Sequence, residues 1–137
     1  MWPFGKRVGS PQPEDVSCGE MIARYDVKSE HWRFRRDGVE FYLSGIPFNI
    51  MAFEWSKDVL TVIHCLDGDI RARVMECLES WPCDKTKAEI LSVSVDLDKF
   101  SESKTLNVMF VGDESWGDFS VEVIVTDGRI VDVYGGD

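Results

Sequence analysis

Apolar and polar side chains alternate along the segment from Asp118 to Tyr134. Phe119, Val121, Val123 and Val125 interleave with Asp118, Ser120, Glu122 and Thr126, the period of two that sends successive side chains to opposite faces of a strand. Asp127-Gly128 follows, a pair suited to a type I′ turn, because Gly adopts positive φ freely and Asp at little cost. A two-residue turn there sets Thr126 opposite Arg129, Val125 opposite Ile130, Val123 opposite Asp132 and Val121 opposite Tyr134. One face of the hairpin is then apolar except for Asp132. Burying a carboxylate without a partner is costly, so Asp132 must meet a cation such as Arg24, lie at a wet sheet edge, or line a pocket.

The same alternation recurs upstream. His31 to Arg36 and Val39 to Ser44 flank Asp37-Gly38, a second type I′ candidate. Pairing across it sets Phe34 against Phe41 and Trp32 against Leu43 on one face, with Arg35 against Glu40 and Arg33 against Tyr42 on the other. A slip by one residue puts the aromatics in water. Met21 to Val27 suits a first strand, and Asn49 to Trp55, with Met51, Phe53 and Trp55 on one side, suits another. Val59 to Cys65 reads two ways. Its β-branched residues favour strand, whereas Ser56 as a cap and Gly68 as a terminator suit a helix; strand is the expectation adopted.

Ile70, Val74, Cys77, Leu78 and Trp81 form one stripe at the helical period. Asp67 or Asp69 is placed to cap that helix and Pro82 to stop it. Leu91, Val93, Val95 and Leu97 alternate with polar residues, Thr105 to Val111 is the next strand, and the terminal hairpin closes the run. The connections Lys99 to Lys104 and Gly112 to Gly117 are short enough for antiparallel neighbours. The expected fold is therefore α+β: a single antiparallel, meander-rich β-sheet with one main helix packed on it. Residues 1–17, which hold three of the five prolines, are expected to form an irregular tail with Trp2 and Phe4 tucked against the domain. Residues 18–137 are expected to form the single α+β domain.

Charge sharpens this picture. The 137 residues carry a net charge of −10, and residues 67–137 hold 16 acidic against 7 basic side chains, whereas residues 1–66 hold 9 against 8. A field of that sign repels nucleic acid and anionic lipid and attracts basic proteins. Acidity that serves only solubility is the competing explanation. Cys18, Cys65, Cys77 and Cys83 form no CxxC pair and read as free thiols of a reducing compartment. The N-terminus has no apolar export core and no apolar run reaches membrane-spanning length, so a cytoplasmic location is expected.

Candidate chemistry is sparse. His64 and Cys65 are adjacent, but on a strand they face opposite ways and form no Cys-His pair. His31 is the only other histidine, which rules out a histidine-rich metal site. Asp67-Gly68-Asp69 and Asp96-Leu97-Asp98 lack the later Gly and Glu of an EF-hand loop, and Gly135-Gly136 precedes no helix that could hold phosphate. No catalytic residue, metal or cofactor is expected. The stretch from Gly112 to Asp118 places one tryptophan among three carboxylates in a surface connection. Asp113, Glu114, Trp116 and Asp118 are therefore the candidate partner-binding residues, with Trp116 as anchor and the acids steering a basic partner. The competing explanation is that Trp116 folds back over one end of the core. Arg33, Arg35 and Arg36 read as a solvated strand face paired with Glu40.

Met1-Trp2-Pro3-Phe4 followed by Lys6 and Arg7 resembles the start of many small bacterial cytoplasmic proteins. In size, acidic balance, antiparallel α+β pattern and lack of a catalytic set, the chain is similar in kind to bacterial immunity proteins. That resemblance implies a non-enzymatic protein that masks a basic toxin domain with carboxylates and aromatics. It rests on no motif and transfers no residue role. Two other readings remain open: a dimeric acidic secretion chaperone, and a small ligand-binding or enzymatic α+β domain with a pocket around Asp132, Tyr134 and the helix.

Overall fold

The computed structural model describes residues 12–81 and 89–136. Alternation in the sequence becomes one eight-stranded sheet in which the strands lie in chain order. These are β1 (Val16–Cys18), β2 (Met21–Asp26), β3 (His31–Arg36), β4 (Val39–Ser44), β5 (Ile90–Asp96), β6 (Thr105–Gly112), β7 (Ser120–Thr126) and β8 (Arg129–Gly136). All neighbours are antiparallel except β4 and β5, which run parallel. A parallel pair cannot be joined by a hairpin. The chain instead crosses over one face of the sheet through α1 (Met51–Cys65) and α2 (Asp67–Leu78). A short helix, α3 (Phe100–Ser103), leads into β6.

Register assigns each strand residue to a face. Phe34, Phe41, Val95, Val108, Val123 and Val133 lie opposite one another in turn from β3 to β8. This row is core: Phe34 is 3% exposed and Phe41, Val95, Val108 and Val123 at most 1%. The helices cover it with Ala52, Phe53, Val59, Leu60 and Ile63 of α1 and Ile70, Val74 and Leu78 of α2, all in one continuous cluster. Phe34 stacks on Phe41 at 5.2 Å and meets Phe53 at 4.9 Å, distances at which ring pairs add to the stabilisation of burial.

The β3–β4 hairpin has the expected register, with Asp37 and Gly38 both at positive φ. Helix α2 has its expected apolar stripe and packs on β7 and β8. Asp67 and Asp69 lie in its first turn rather than capping it: Leu66 is the N-cap, and Asp67 Oδ1 accepts from Arg71 Nε at 2.9 Å. Pro82 lies outside the described residues, as do Trp2 and Phe4. Val16–Cys18 pairs with β2, so ordered structure begins before residue 18.

Several expectations are corrected. The strands expected at 49–55 and 59–65 are one helix, so two long helices cover the sheet. Ala52, Phe53, Ser56, Val59, Leu60 and Ile63 form its buried stripe. Ser56 is not a cap but is mid-helix and fully buried, where its Oγ donates to the Phe53 carbonyl at 2.7 Å and accepts from Arg36 Nη1 at 2.7 Å. Arg36 also donates to the Phe53 carbonyl. It therefore ties strand to helix, while Arg33 and Arg35 pair with Glu40 at 4.0 and 3.4 Å.

The terminal hairpin is likewise shifted. Its turn is as expected, but an irregularity between Ile124 and Val125 sets Asp132 opposite Ile124, Val133 opposite Val123, Tyr134 opposite Glu122 and Gly135 opposite Val121. Val131 is the extra residue of a bulge, and it turns Asp132 and Tyr134 to the face away from the helices. The alternative of a pocket joining Asp132, Tyr134 and the helix therefore loses its geometry. Strand β8 is an edge of the sheet.

At the end of β6 and β7, Trp116 and Phe119 close the core. Trp81 stacks on Phe119 at 4.6 Å and its Nε1 donates to the Trp116 carbonyl at 2.7 Å. The Trp116 indole lies against Gly112, where an added Cβ would fall far inside van der Waals contact with the ring. Replacing Gly112→Ala therefore forces the indole or the backbone to move. The expected loss is about 1–3 kcal/mol, read from urea unfolding; an unchanged midpoint would show that Trp116 does not rest on Gly112.

Candidate functional site

The second set of strand positions faces away from the helices, and no described element covers it. Two registered rows cross this open face. Arg24, Arg33, Tyr42, Asp96, Asn107, Ile124 and Asp132 form one, from β2 to β8; Arg35, Glu40, Ser94, Met109, Glu122 and Tyr134 form the other, from β3 to β8. Charge is segregated along both. Arginines occupy β2 and β3, whereas the two rows continue through Ser94, Asp96, Asn107, Met109, Glu122, Ile124, Asp132 and Tyr134 on β5 to β8 without a Lys or Arg; Arg129, opposite Thr126, stands outside them at the turn end of β8.

At the middle of the face, His31, Tyr42, Ser94, Asp96, Asn107, Met109 and Glu122 line a concavity of about 350 Å³. Its geometry is set by short polar contacts. Asp98, just beyond β5, accepts from the Ser44 amide at 2.9 Å and the Ser44 hydroxyl at 2.8 Å. Its own amide donates to Asp96 Oδ1 at 2.9 Å. His31 Nε2 stands 3.9 Å from Asp98 Oδ2, and the His31 ring meets Tyr42 edge-on at 6.4 Å. Asn107 Nδ2 donates to Glu122 Oε2 at 2.9 Å. Among the described residues, neither Asp96 nor Glu122 has a cationic partner.

The surroundings of Asp96 shift its carboxyl. Desolvation in the concavity, helped by the Asp98 charge, holds its carboxyl above the usual range, against the opposing effects of the Asp98 amide and His31. At the far rim, the neighbouring Asp132 carboxylate pushes the Tyr134 phenol up. No Ser, Cys or His here is arranged as an activated nucleophile with its base. His64 and Cys65 are both exposed on α1 rather than on a strand. Cys18, Cys65 and Cys77 are free thiols; Cys83 is outside the described residues. Among the described residues, no group of three His, Cys, Asp or Glu side chains is placed to hold a metal ion, and no helix is long and apolar enough to cross a membrane.

The candidate loop is organised differently. Asp113 caps the 3-10 turn Glu114–Trp116 by accepting from the Ser115 amide, and its other oxygen accepts from the Glu89 amide at 3.0 Å. Hydrogen bonds, the Ser115 side chain first, pull its carboxyl below the usual range. Trp116 is 0% exposed, and its Nε1 has no hydrogen-bond partner among the described residues. The indole thus offers a partner no surface, as the competing explanation held, and Asp113 is occupied within the fold. Glu114 and Asp118 are exposed. The open face, with Tyr42, Asp96, Asn107 and Glu122, was not singled out from the sequence. Strand alternation marked its positions as polar, but pairing β4 with β5 was needed to bring Tyr42 beside Asp96.

Because the folded-state pKa of Asp96 is raised, its contribution to stability is fully present at low pH and is lost as pH rises through the carboxylate range. Asp96→Asn is therefore expected to hold or raise stability at pH 7, with the difference from wild type vanishing below about pH 4. Thermal unfolding across pH tests this; a variant clearly less stable at pH 7 would contradict it. No family model matches this chain, and comparison with curated proteins and with solved structures gives no match to either.

Proposed function

We propose that the protein is a non-enzymatic binding domain whose open sheet face engages a basic protein partner. Its most specific form is an immunity protein that neutralises a basic toxin domain in the cytoplasm. The observation that carries this reading is the segregation of charge on the open face. Strands β5 to β8 present Asp96, Glu122, Asp132, Met109 and Tyr134 beside Tyr42 of β4, and the two rows that cross them hold no Lys or Arg from β5 onward; Arg129, opposite Thr126, lies at the turn end of the hairpin. Carboxylates attract and orient a basic surface, while aromatic and thioether groups supply area to bury.

Asp96 adds weight to the reading. A carboxylate held above its usual range by its surroundings costs the free fold stability, and a cation from a partner relieves that cost on binding. The exposed loop residues Glu114 and Asp118 extend the acidic field. Of the residues expected to bind a partner, these two stay in the proposal as steering charges, whereas Asp113 and Trp116 belong to the scaffold.

Two variants separate face from loop: Asp96→Asn/Glu122→Gln/Asp132→Asn, and Glu114→Gln/Asp118→Asn. Association with the protein that co-purifies with the chain is measured at low and moderate salt. The triple variant is expected to lower the on-rate roughly tenfold or more at low salt and to flatten the salt dependence, with the loop variant changing the on-rate by less. Unchanged association and salt slope in the triple variant would overturn the reading.

A further inference from the structure

We propose that the concavity at the centre of the open face is a receptor for a single arginine side chain of the partner, an inference that rests on the reading of that face as the binding surface. The first ground is a count of hydrogen-bond acceptors. Asp96 Oδ1 takes the Asp98 amide and Glu122 Oε2 takes Asn107 Nδ2. Asp96 Oδ2, Glu122 Oε1 and Asn107 Oδ1 accept nothing among the described residues. The walls thus present these three acceptors, two of them on carboxylates, beside the Ser94 and Tyr42 hydroxyls, and no Lys or Arg.

The second ground is how those acceptors are spread. Asp96 lies opposite Asn107 and Glu122 opposite Met109. The carboxylates therefore stand diagonally on either side of β6, on strands about 10 Å apart. An ammonium is a point charge that satisfies one such group at a time. A guanidinium carries five N–H donors in a planar fork and serves both sides at once. The third ground is the remaining lining. The Tyr42 ring offers a face for a guanidinium to stack on, and Met109 gives the aliphatic stem an apolar floor. A volume of about 350 Å³ lies at the small end of ligand sites, the scale of one side chain.

The probe is N-acetyl-arginine methylamide, titrated into the full-length chain and followed by amide NMR shifts, with the lysine and citrulline analogues alongside. The arginine probe is expected to give saturable shifts at Asp96, Asn107 and Glu122, with a Kd on the order of 1–10 mM. The lysine probe binds more weakly, and citrulline, which has the same shape without the charge, does not bind. Asp96→Asn and Glu122→Gln, both isosteric, each weaken the arginine probe about tenfold, and their spectra elsewhere report that the fold is intact. Absence of saturation up to about 50 mM probe, equal shifts from citrulline, or undiminished binding in both variants would overturn the pocket. Failure here while partner association still depends on the open-face carboxylates removes only the arginine receptor. Failure of both removes the reading of the face as well.

Discussion

The parallel pairing of β4 with β5 is the constraint on which the rest of the molecule depends. It is the one pairing a hairpin cannot make, so the chain must travel over the sheet and return. It does so as α1 and α2, and both helices share the core cluster with one set of strand positions. That face becomes the interior. The other face is left to the polar half of every alternating strand, and the same pairing joins two antiparallel runs of opposite character. The first brings Arg24, Arg33 and Arg35 to the open face; the second brings Asp96, Glu122 and Asp132.

From that arrangement the division of labour among the acidic residues follows. Asp98 and Asp113 accept hydrogen bonds from amides and fix local chain geometry. Glu40 balances two arginines. Asp96 and Glu122 do neither in full, since each keeps an oxygen without a donor among the described residues and neither has a cation. Native interiors and clefts seldom retain such groups without a use, because fully satisfied alternatives are more stable. The stacked aromatics of the opposite face carry the stability that lets the open face keep them.

Much of the fold was legible because its strands are half-buried and alternate cleanly. The β3–β4 hairpin could be read to the residue, since Asp37-Gly38 fixes the turn and only one register hides Trp32, Phe34, Phe41 and Leu43. Helix α1 was not read, for a non-local reason. Its stripe is interrupted by Ser56, which is acceptable in the core because Arg36 of β3 reaches it, and local β-branched content argued the other way. The register of β8 failed by one residue because nothing local marks Val131 as a bulge. Gly135 is explained only in three dimensions, where a Cβ would lie 2.6 Å from Phe119 Cζ. Of the site, Trp116 and its carboxylates drew attention as a local cluster, whereas Tyr42, Asp96, Asn107 and Glu122 come from four strands and meet only through pairing.

The claim at the centre of this account is that the open face, not the Trp116 loop, is the surface that meets a partner. Carbodiimide labelling of carboxylates, read by mass spectrometry on the free protein and on its complex with the co-purifying partner, tests it most directly. The account predicts that Asp96, Glu122 and Asp132 label in the free protein and are protected in the complex, while Glu114 and Asp118 keep most of their labelling. Protection confined to Glu114 and Asp118, with the three open-face carboxylates labelled equally in both states, would contradict it.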